Sequence, residues 1–325
     1  MKQSSVYHHL IRRKNPELVS IVIPCFNEFE VIPTLRVRME AVVKTLGVDV
    51  EILLVNDGSC DHTLPQLLEW ANANPKVKVI SFARNFGHQA ATMAGLDYSS
   101  GDAVVIMDAD LQDPPEVIIE MLEKYRDGYD VVYGQRLSRA GESPFKRATA
   151  WAFYRLMQFL ILRDLPLDTG DFRLISRECL GALNRMHEVH RFLRGMVAWL
   201  GFPQIAVQYH RPSRVCGTTK YPFSKMIRYA WDATLSFSAL PLRISYLLSA
   251  STALIGLSYG VYGIIQSVRG VAVPGWTSLV VIICLIGAGL QVSIGILGEY
   301  VARLYEEAKK RPIYIVSMTA NISQL

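Results

Sequence analysis

Two aspartates, Asp108 and Asp110, stand two residues apart just after the apolar run AVVIM at 103–107. Carboxylates at that spacing on a strand end can meet one divalent cation. Mg2+ and Mn2+ favour such oxygen ligands and share their coordination with substrate phosphates. Gln112 continues the alternation and offers a third oxygen. Three more polar pairs follow apolar runs in the same way: Asn27-Glu28, Asn56-Asp57 and Arg84-Asn85. An Asp-x-Asp alone says little, because short motifs recur by chance. Four such clusters, each behind an apolar run, point to one shared site.

The elements that must carry these residues alternate. Apolar β-prone runs at 19–24, 48–55, 77–82, 103–107 and 130–133 predict five strands. Between them, 29–46, 61–73, 87–98 and 116–126 predict helices, with Asp61 as an N-cap, Pro114-Pro115 opening the last, and small residues crowding 87–98. The fold class is therefore α/β, a mainly parallel sheet with helices on both faces. Such sheets bind ligands outside the carboxyl ends of their strands, which is where all four polar clusters fall. After Gly134 the pattern loosens. Residues 146–162, with Trp151, Phe153, Tyr154 and Phe159, predict an amphipathic helix, and 224–237 (SKMIRYAWDATLSF) suits a helix lying in a membrane interface.

The chain has 325 residues, half of them hydrophobic, and the apolar ones concentrate late. Segments 244–265 and 277–298 contain no Asp, Glu, Lys or Arg, and each has roughly the 20 residues needed to cross a bilayer. Arg243 precedes the first span, Arg303, Lys309, Lys310 and Arg311 follow the second, and the loop between carries only Arg269. The positive-inside rule then predicts a multi-pass protein of the cell membrane with the globular domain and both termini in the cytoplasm. Gly256 with Gly260, and Gly289 with Ser293, have a spacing that lets helices approach closely. The expected division is an N-terminal segment 1–18, a catalytic domain 19–222, interfacial helices 223–243, two spans 244–300 and a tail 301–325. Within the tail, PIYIVS at 312–317 is β-prone and suits a strand for its own domain, a strand for a neighbour, or a free end. The net charge of +5 is spread along the chain, which argues against nucleic acid as a partner. Five scattered cysteines without a CxxC argue against disulfides and zinc. The first 20 residues lack the apolar core of a cleavable signal.

The segments IVIPCFNE, LLVNDGSCD, SFARNFGHQAATMAGLDYSSGD and VIMDADLQDPPE occur in that order, and together they resemble the family 2 inverting glycosyltransferases of GT-A fold. YGQR, DTGDFRLISR, RFLRG and RVCGTTKY follow. With the two-span tail, the longer set is similar to the polyprenyl-phosphate branch, which includes dolichol-phosphate mannose synthases and bactoprenol glucosyltransferases of the GtrB type. The resemblance implies that Pro24, Phe26, Asn27 and Glu28 line a nucleoside pocket, and that Asp57 bonds the base edge, with Gly58 permitting close backbone approach. By the same resemblance Arg84, Asn85 and Gly87 lie near the ribose, diphosphate or sugar. Asp108, Asp110 and Gln112 would hold Mg2+ or Mn2+. Arg136, with Arg139 or Lys146, and further on Arg214 and Lys220, would meet an acceptor phosphate. The implied partners are a nucleotide-sugar (UDP-glucose favoured), undecaprenyl or another polyprenyl phosphate, membrane lipids, and further copies of the chain in a homo-tetramer.

The mechanism turns on the acceptor. A hydroxyl needs a general base, and Asp168 and Asp171 in DTGDFR are the candidates. A phosphate monoester is already ionised near neutral pH, its second pKa lying at about 6, so arginines would only have to position it. Plainer readings stand beside these. Asn27-Glu28 and Asp57-Gly58 also suit a helix start and a turn, Arg84 a surface ion pair, and His88 a packing or capping residue. Asp168 and Asp171 also suit pairing with Arg173 and Arg177. No QxxRW is present, which favours one sugar per turnover over a polymer. Transfer to a lipid hydroxyl, or a silent nucleotide-sugar-binding scaffold, are the alternatives.

Overall fold

The computed structural model describes residues 10–137, 169–189, 191–210, 240–270 and 275–322. Asp168, Arg139, Lys146, Arg214 and Lys220 lie outside these, as do the helices expected over 146–162 and 224–237. Two compact units emerge: one holds the sheet and includes residues from 312 onward, and the other spans Ser224–Arg311.

The sheet unit follows the alternation read from the sequence. Its elements run β1 (Leu18–Cys25), α1 (Ile32–Leu46), β2 (Asp49–Asn56), α2 (Thr63–Ala73), β3 (Val77–Phe82), α3 (His88–Asp97), β4 (Ala103–Ile106), α4 (Val117–Arg126), β5 (Val131–Arg136), β6 (Thr169–Ser176), α5 (Arg177–Leu183), α6 (Leu193–Leu200) and β7 (Gln204–Tyr209). A last strand, β8 (Val316–Ala320), closes the unit. The strand order is β7-β5-β6-β4-β1-β2-β3-β8. β1 pairs in parallel with β2 and β4, and β3 with β2. β6 runs antiparallel between β4 and β5, and β8 antiparallel beside β3.

Burial on both faces explains the unbroken apolar runs. On one face Ile21, Ile23, Ile52, Leu54 and Val105 share a core with Leu35 and Met39 of α1, Leu67 and Trp70 of α2, and Ile118 and Met121 of α4. The buried positions of α1, Ile32, Leu35, Met39, Val42 and Leu46, recur at helical spacing, and the helix stops at Gly47 in the left-handed conformation. On the other face α3 lies so close that a Cβ on Gly95 would fall 2.1 Å from Val22 Cγ1. The small residues of this helix, which give little amphipathic signal, are what permit that approach.

The start of α2 differs from the expectation by two residues. Asp61 Oδ1 accepts from Thr63 N–H at 2.9 Å, so Asp61 closes the turn that leads into the helix. Two strands, β6 and β7, lie where the sequence pattern loosens. The β-prone tail resolves onto the chain's own sheet, where Met318 pairs with Ser81 and Thr319 with Ile80.

The second unit contains α7 (Leu240–Val268) and α8 (Trp276–Ala308), which pack on each other. Both are long and apolar enough to cross a membrane, with candidate spans over Leu247–Gln266 and Leu285–Ala308. Leu247, Leu254, Ile264, Ile283 and Leu290 all expose more than half their side chains within the unit. Of the small residues noted in the sequence, Gly289 lies at the helix contact, where an added Cβ would come within 3.1 Å of Thr252 Cγ2.

Candidate active site

The register brings the polar clusters to one edge. Cys25 aligns with Asn56, Asn56 with Ser81, and Val22 with Ile106, so Asn27, Asp57, Arg84 and Asp108 all follow at the carboxyl ends of β1 to β4. Antiparallel β6 enters at the same edge, because its Arg173 pairs with Ile106. That contact brings Asp171 in from a distant part of the chain.

The loops after β1, β2 and β3 are tied mainly to one another. Asn27, at φ 54°, donates its N–H to Ser59 Oγ at 3.0 Å and accepts from Cys60 N–H at 2.9 Å. Glu28 N–H donates to Thr63 Oγ1. Pro24 is buried on β1, beside Val55 in the register, while Phe26 stays 36% exposed at the rim. The Asp57 carboxylate accepts from Phe86 N–H at 2.7 Å and Gly87 N–H at 3.0 Å, and Asn85 Nδ2 donates to Asp57 O at 3.3 Å. Asp57 is buried, and burial raises its pKa against the opposing pull of those two N–H groups. Its carboxylate therefore organises the β3–α3 loop, and any further donor can use only the lone pairs those groups leave. Gly58 does permit close backbone approach, but of the chain's own backbone. At φ 63° a Cβ there would lie 2.4 Å from the Arg84 carbonyl carbon. Arg84 donates to Asn85 O and lies over the Phe86 ring, 4.0 Å from its centroid.

The carboxylates form the next layer. Asp110 Oδ1 accepts from Gln112 N–H at 3.1 Å, across Leu111 at φ 58°. Asp108 Oδ1 is buried with no hydrogen-bond partner, and His88 Nε2 lies 3.5 Å from it and 3.4 Å from Asp171 Oδ2. Burial raises Asp108 to about 6 against the charge of His88, with Asp113, Asp171 and Asp110 pushing the same way as burial. Burial would lower His88, but its bond to Asp171 and the charges of Asp108 and Asp171 prevail and raise it to about 9. Asp171 also accepts from Arg194 Nε at 2.7 Å and from Gln89 Nε2 at 3.2 Å. Arg194 and His88 overcome its burial and hold it well below the usual carboxylate range. A buried carboxylate oxygen that accepts no hydrogen bond, beside a second carboxylate, is a donor set that suits a hard divalent cation. No group of three His, Cys, Asp or Glu side chains fit to hold a metal occurs among the described residues. Further ligands would therefore be oxygens such as that of Gln112, water or a bound diphosphate.

Arg136 sits at the end of β5. Its Nη2 donates to Asp113 Oδ1 and its Nε to Tyr209 Oη, each at 3.3 Å, and Tyr209 Oη in turn donates to Asp113 Oδ1. Asp113 is fully buried, and its Oδ2 has no hydrogen-bond partner. Gly170 leaves room for the arrangement, since a Cβ there would be 2.7 Å from Arg136 Nη2.

Asp171 does not pair with Arg173 or Arg177 as the sequence suggested. Arg177 donates to Gly101 O at 2.8 Å and Arg173 to Gly170 O at 3.2 Å. Asp171 and Arg173 stand two apart on β6 and so share a face, but the Asp171 carboxylate is already engaged by Arg194, Gln89 and His88. His88, read as packing, instead bridges two carboxylates. Asp113, Tyr209, Gln89 and Arg194 also escaped the sequence reading. The first stands next to Gln112 in DADLQD and Arg194 stands in RFLRG, whereas nothing local marks Tyr209.

Comparison with known proteins places the chain in a family. A glycosyltransferase of Bacillus subtilis, YkcC, whose name marks it as uncharacterized, is 44% identical over 306 residues, covering 93% of this chain and 94% of its own. The bactoprenol glucosyl transferase of Shigella phage SfV is 39% identical over 299 residues, covering 92% and 97%. A prophage bactoprenol glucosyl transferase homolog of Escherichia coli is 38% identical over 299 residues, covering 92% and 98%. Among solved structures, the mannosyltransferase PcManGT from Pyrobaculum calidifontis, in complex with GDP-Man and Mn2+, covers 95% of this chain and 91% of its own at 17% identity, with a TM-score of 0.43. That likeness is too loose to bear on the site. The match over residues 20–183 is to the family described as glycosyl transferase family 2, and this span holds β1 to β6 with the Asp108/Asp110 pair. With that match and the near full-length relatives, the chain belongs to glycosyl transferase family 2.

Proposed function

We propose that this enzyme transfers one sugar, glucose from UDP-glucose, to a polyprenyl phosphate such as undecaprenyl phosphate, with inversion at the anomeric carbon. Two kinds of observation support the reading: the full-length relatives named as bactoprenol glucosyl transferases, and the state of Asp171. A hydroxyl acceptor needs a base, yet Asp171 accepts from Arg194 and Gln89, lies against His88 and is held at a low pKa. A carboxylate in that setting is a poor proton acceptor, and a phosphate acceptor requires none.

In this reading the loops after β1, β2 and β3 hold the nucleoside. Asp108 and Asp110, with Gln112, hold Mg2+ or Mn2+. A divalent cation bound there neutralises the charge that develops on the leaving diphosphate. Arg136, oriented by Asp113 and Tyr209, meets the acceptor phosphate, together with Arg139, Lys146, Arg214 and Lys220. Arg194 and His88 hold the Asp171 carboxylate toward the sugar. Both apolar helices cross the membrane, with the catalytic domain and termini cytoplasmic and Arg269 outside. A homo-tetramer would cover part of their exposed apolar faces.

The test is incubation of the purified protein with undecaprenyl phosphate, Mg2+ and radiolabelled nucleotide-sugars, following label into the organic phase. Label from UDP-glucose that disappears with Asp110→Ala, with chelator, or with dephosphorylated lipid is the expected result. Label reaching a neutral lipid acceptor instead would sink the reading, as would no transfer from any donor.

A further inference from the structure

The β-prone tail is not absorbed by the reaction above, yet it touches the loop that the reaction needs most. Residues 83–87 connect β3 to α3 and carry Arg84, Asn85 and Gly87. On one side the loop hangs from Asp57, through Phe86 N–H, Gly87 N–H and Asn85 Nδ2. On the other side it meets the C-terminal segment. The Tyr314 ring stacks on Phe82, with centroids 5.1 Å apart and planes 11° apart. Phe82 in turn meets Phe86 edge-on at 5.7 Å. Ala83 N–H donates to Ile315 O at 3.0 Å, and Ser317 Oγ donates to Ser81 O at 3.0 Å. Tyr314 Oη reaches past the loop to the last residue of α3, donating to Asp97 Oδ2 at 2.7 Å. Further along, Asn321 Nδ2 fastens the strand by donating to Ala71 O and Val77 O.

We propose that Tyr314, anchored by β8, is a positioning residue for the donor-binding loop: it braces β3 through Phe82 and α3 through Asp97, and so sets the loop's affinity for a nucleoside diphosphate. The inference rests on the reading that residues 84–87 line the donor pocket. The geometry favours a brace over a plain edge strand, because one side chain links the last residue of β3, which leads into the loop, to the last residue of α3, the helix that follows it. Edge pairing alone would need only the β3–β8 backbone ladder. Since Tyr314 follows α8 in the chain, the donor site is completed only after the second apolar helix has been made.

The full-length protein in lipid nanodiscs, as wild type, Tyr314→Ala, Tyr314→Phe and Asp97→Ala, tests this in two ways. Calorimetric titration with UDP and with GDP reads the brace without turnover. Steady-state kinetics reads donor KM, undecaprenyl phosphate KM and kcat. Tyr314→Ala removes a ring contact and a hydrogen bond, and is expected to weaken nucleotide binding and raise donor KM about tenfold. Acceptor KM should stay within about twofold. Tyr314→Phe and Asp97→Ala, which spare the stack, should each shift nucleotide affinity about threefold. Unchanged nucleotide affinity in all three variants overturns the brace, as does a fall in thermal midpoint with donor and acceptor KM rising together. If the wild type labels no lipid at all, the proposed reaction fails, and the UDP and GDP titrations still decide the brace.

Discussion

Asp113 shows how much depends on a single buried group. It is fully buried and neutralises Arg136, which also holds Tyr209. Asp113→Ala would leave a buried guanidinium without its counter-charge, at a cost of about 3–5 kcal/mol. Urea unfolding in detergent should show that loss, and the pair Asp113→Leu with Arg136→Met should recover most of it while remaining inactive. Glu51 makes a second residue-scale case, at the far end of β2. It accepts from Ser20 Oγ and Lys78 Nζ, each at 2.5 Å, and from Ser100 N–H at 2.6 Å. Burial works against its ionised form, but those three donors together lower its pKa below the ordinary 4.5. A carboxylate with a lowered folded pKa contributes stability that is present above its unfolded value and lost as pH falls through the folded one. Thermal midpoints should therefore drop as pH goes below about 4.5. In Glu51→Gln that drop should flatten, with stability at pH 7 lower by about 2 kcal/mol. An equally steep acid drop in the variant would assign it to other groups.

Among the elements, the loops between strands and helices also constrain one another. Gly58 packs its Cα against the backbone of Arg84 and Asn85 at positive φ, so the β2 loop and the β3 loop can meet only if no side chain intervenes. Gly58→Ala combines backbone strain with overlap and should cost about 3 kcal/mol, measurable by thermal unfolding. It should also push the 84–87 loop off Asp57 and weaken UDP binding. A variant of wild-type stability and nucleotide affinity would show that the loops are less closely coupled than this packing implies. The same principle accounts for α3, whose Gly95 lies against Val22: small residues seat the helix close to the sheet, and the residues at its start, His88 and Gln89, thereby reach Asp171.

For the whole molecule, the proposed membrane topology is the part open to direct test. In the proposed topology, with Arg269 outside and residues 309–311 inside, Arg269→Cys should react with a membrane-impermeant maleimide on intact cells. Lys310→Cys should react only after permeabilisation. The background for both is a chain whose exposed Cys60 is replaced by serine. Labelling in the reverse order would place the catalytic domain outside, away from a cytoplasmic supply of nucleotide-sugar.

Local physics was enough for the first half of the fold. Buried parallel strands must be apolar throughout, and the helices between them must show one apolar face, so β1 to β5 and their helices were legible with shifts of a few residues. The carboxyl-edge rule then gathered Asn27, Asp57, Arg84 and Asp108 without any structure, and length and lack of charge marked the two apolar helices. What the sequence could not determine is pairing between distant segments. The antiparallel insertion of β6 between β4 and β5 carries Asp171 to His88 and Arg194, and Tyr209 reaches Asp113 from 96 residues away. Residues 312–317 were open to three fates, and only the free edge of β3 decided among them. Such contacts leave no periodicity in either partner alone, because each depends on the shape of the other, and that shape exists only once the sheet has formed.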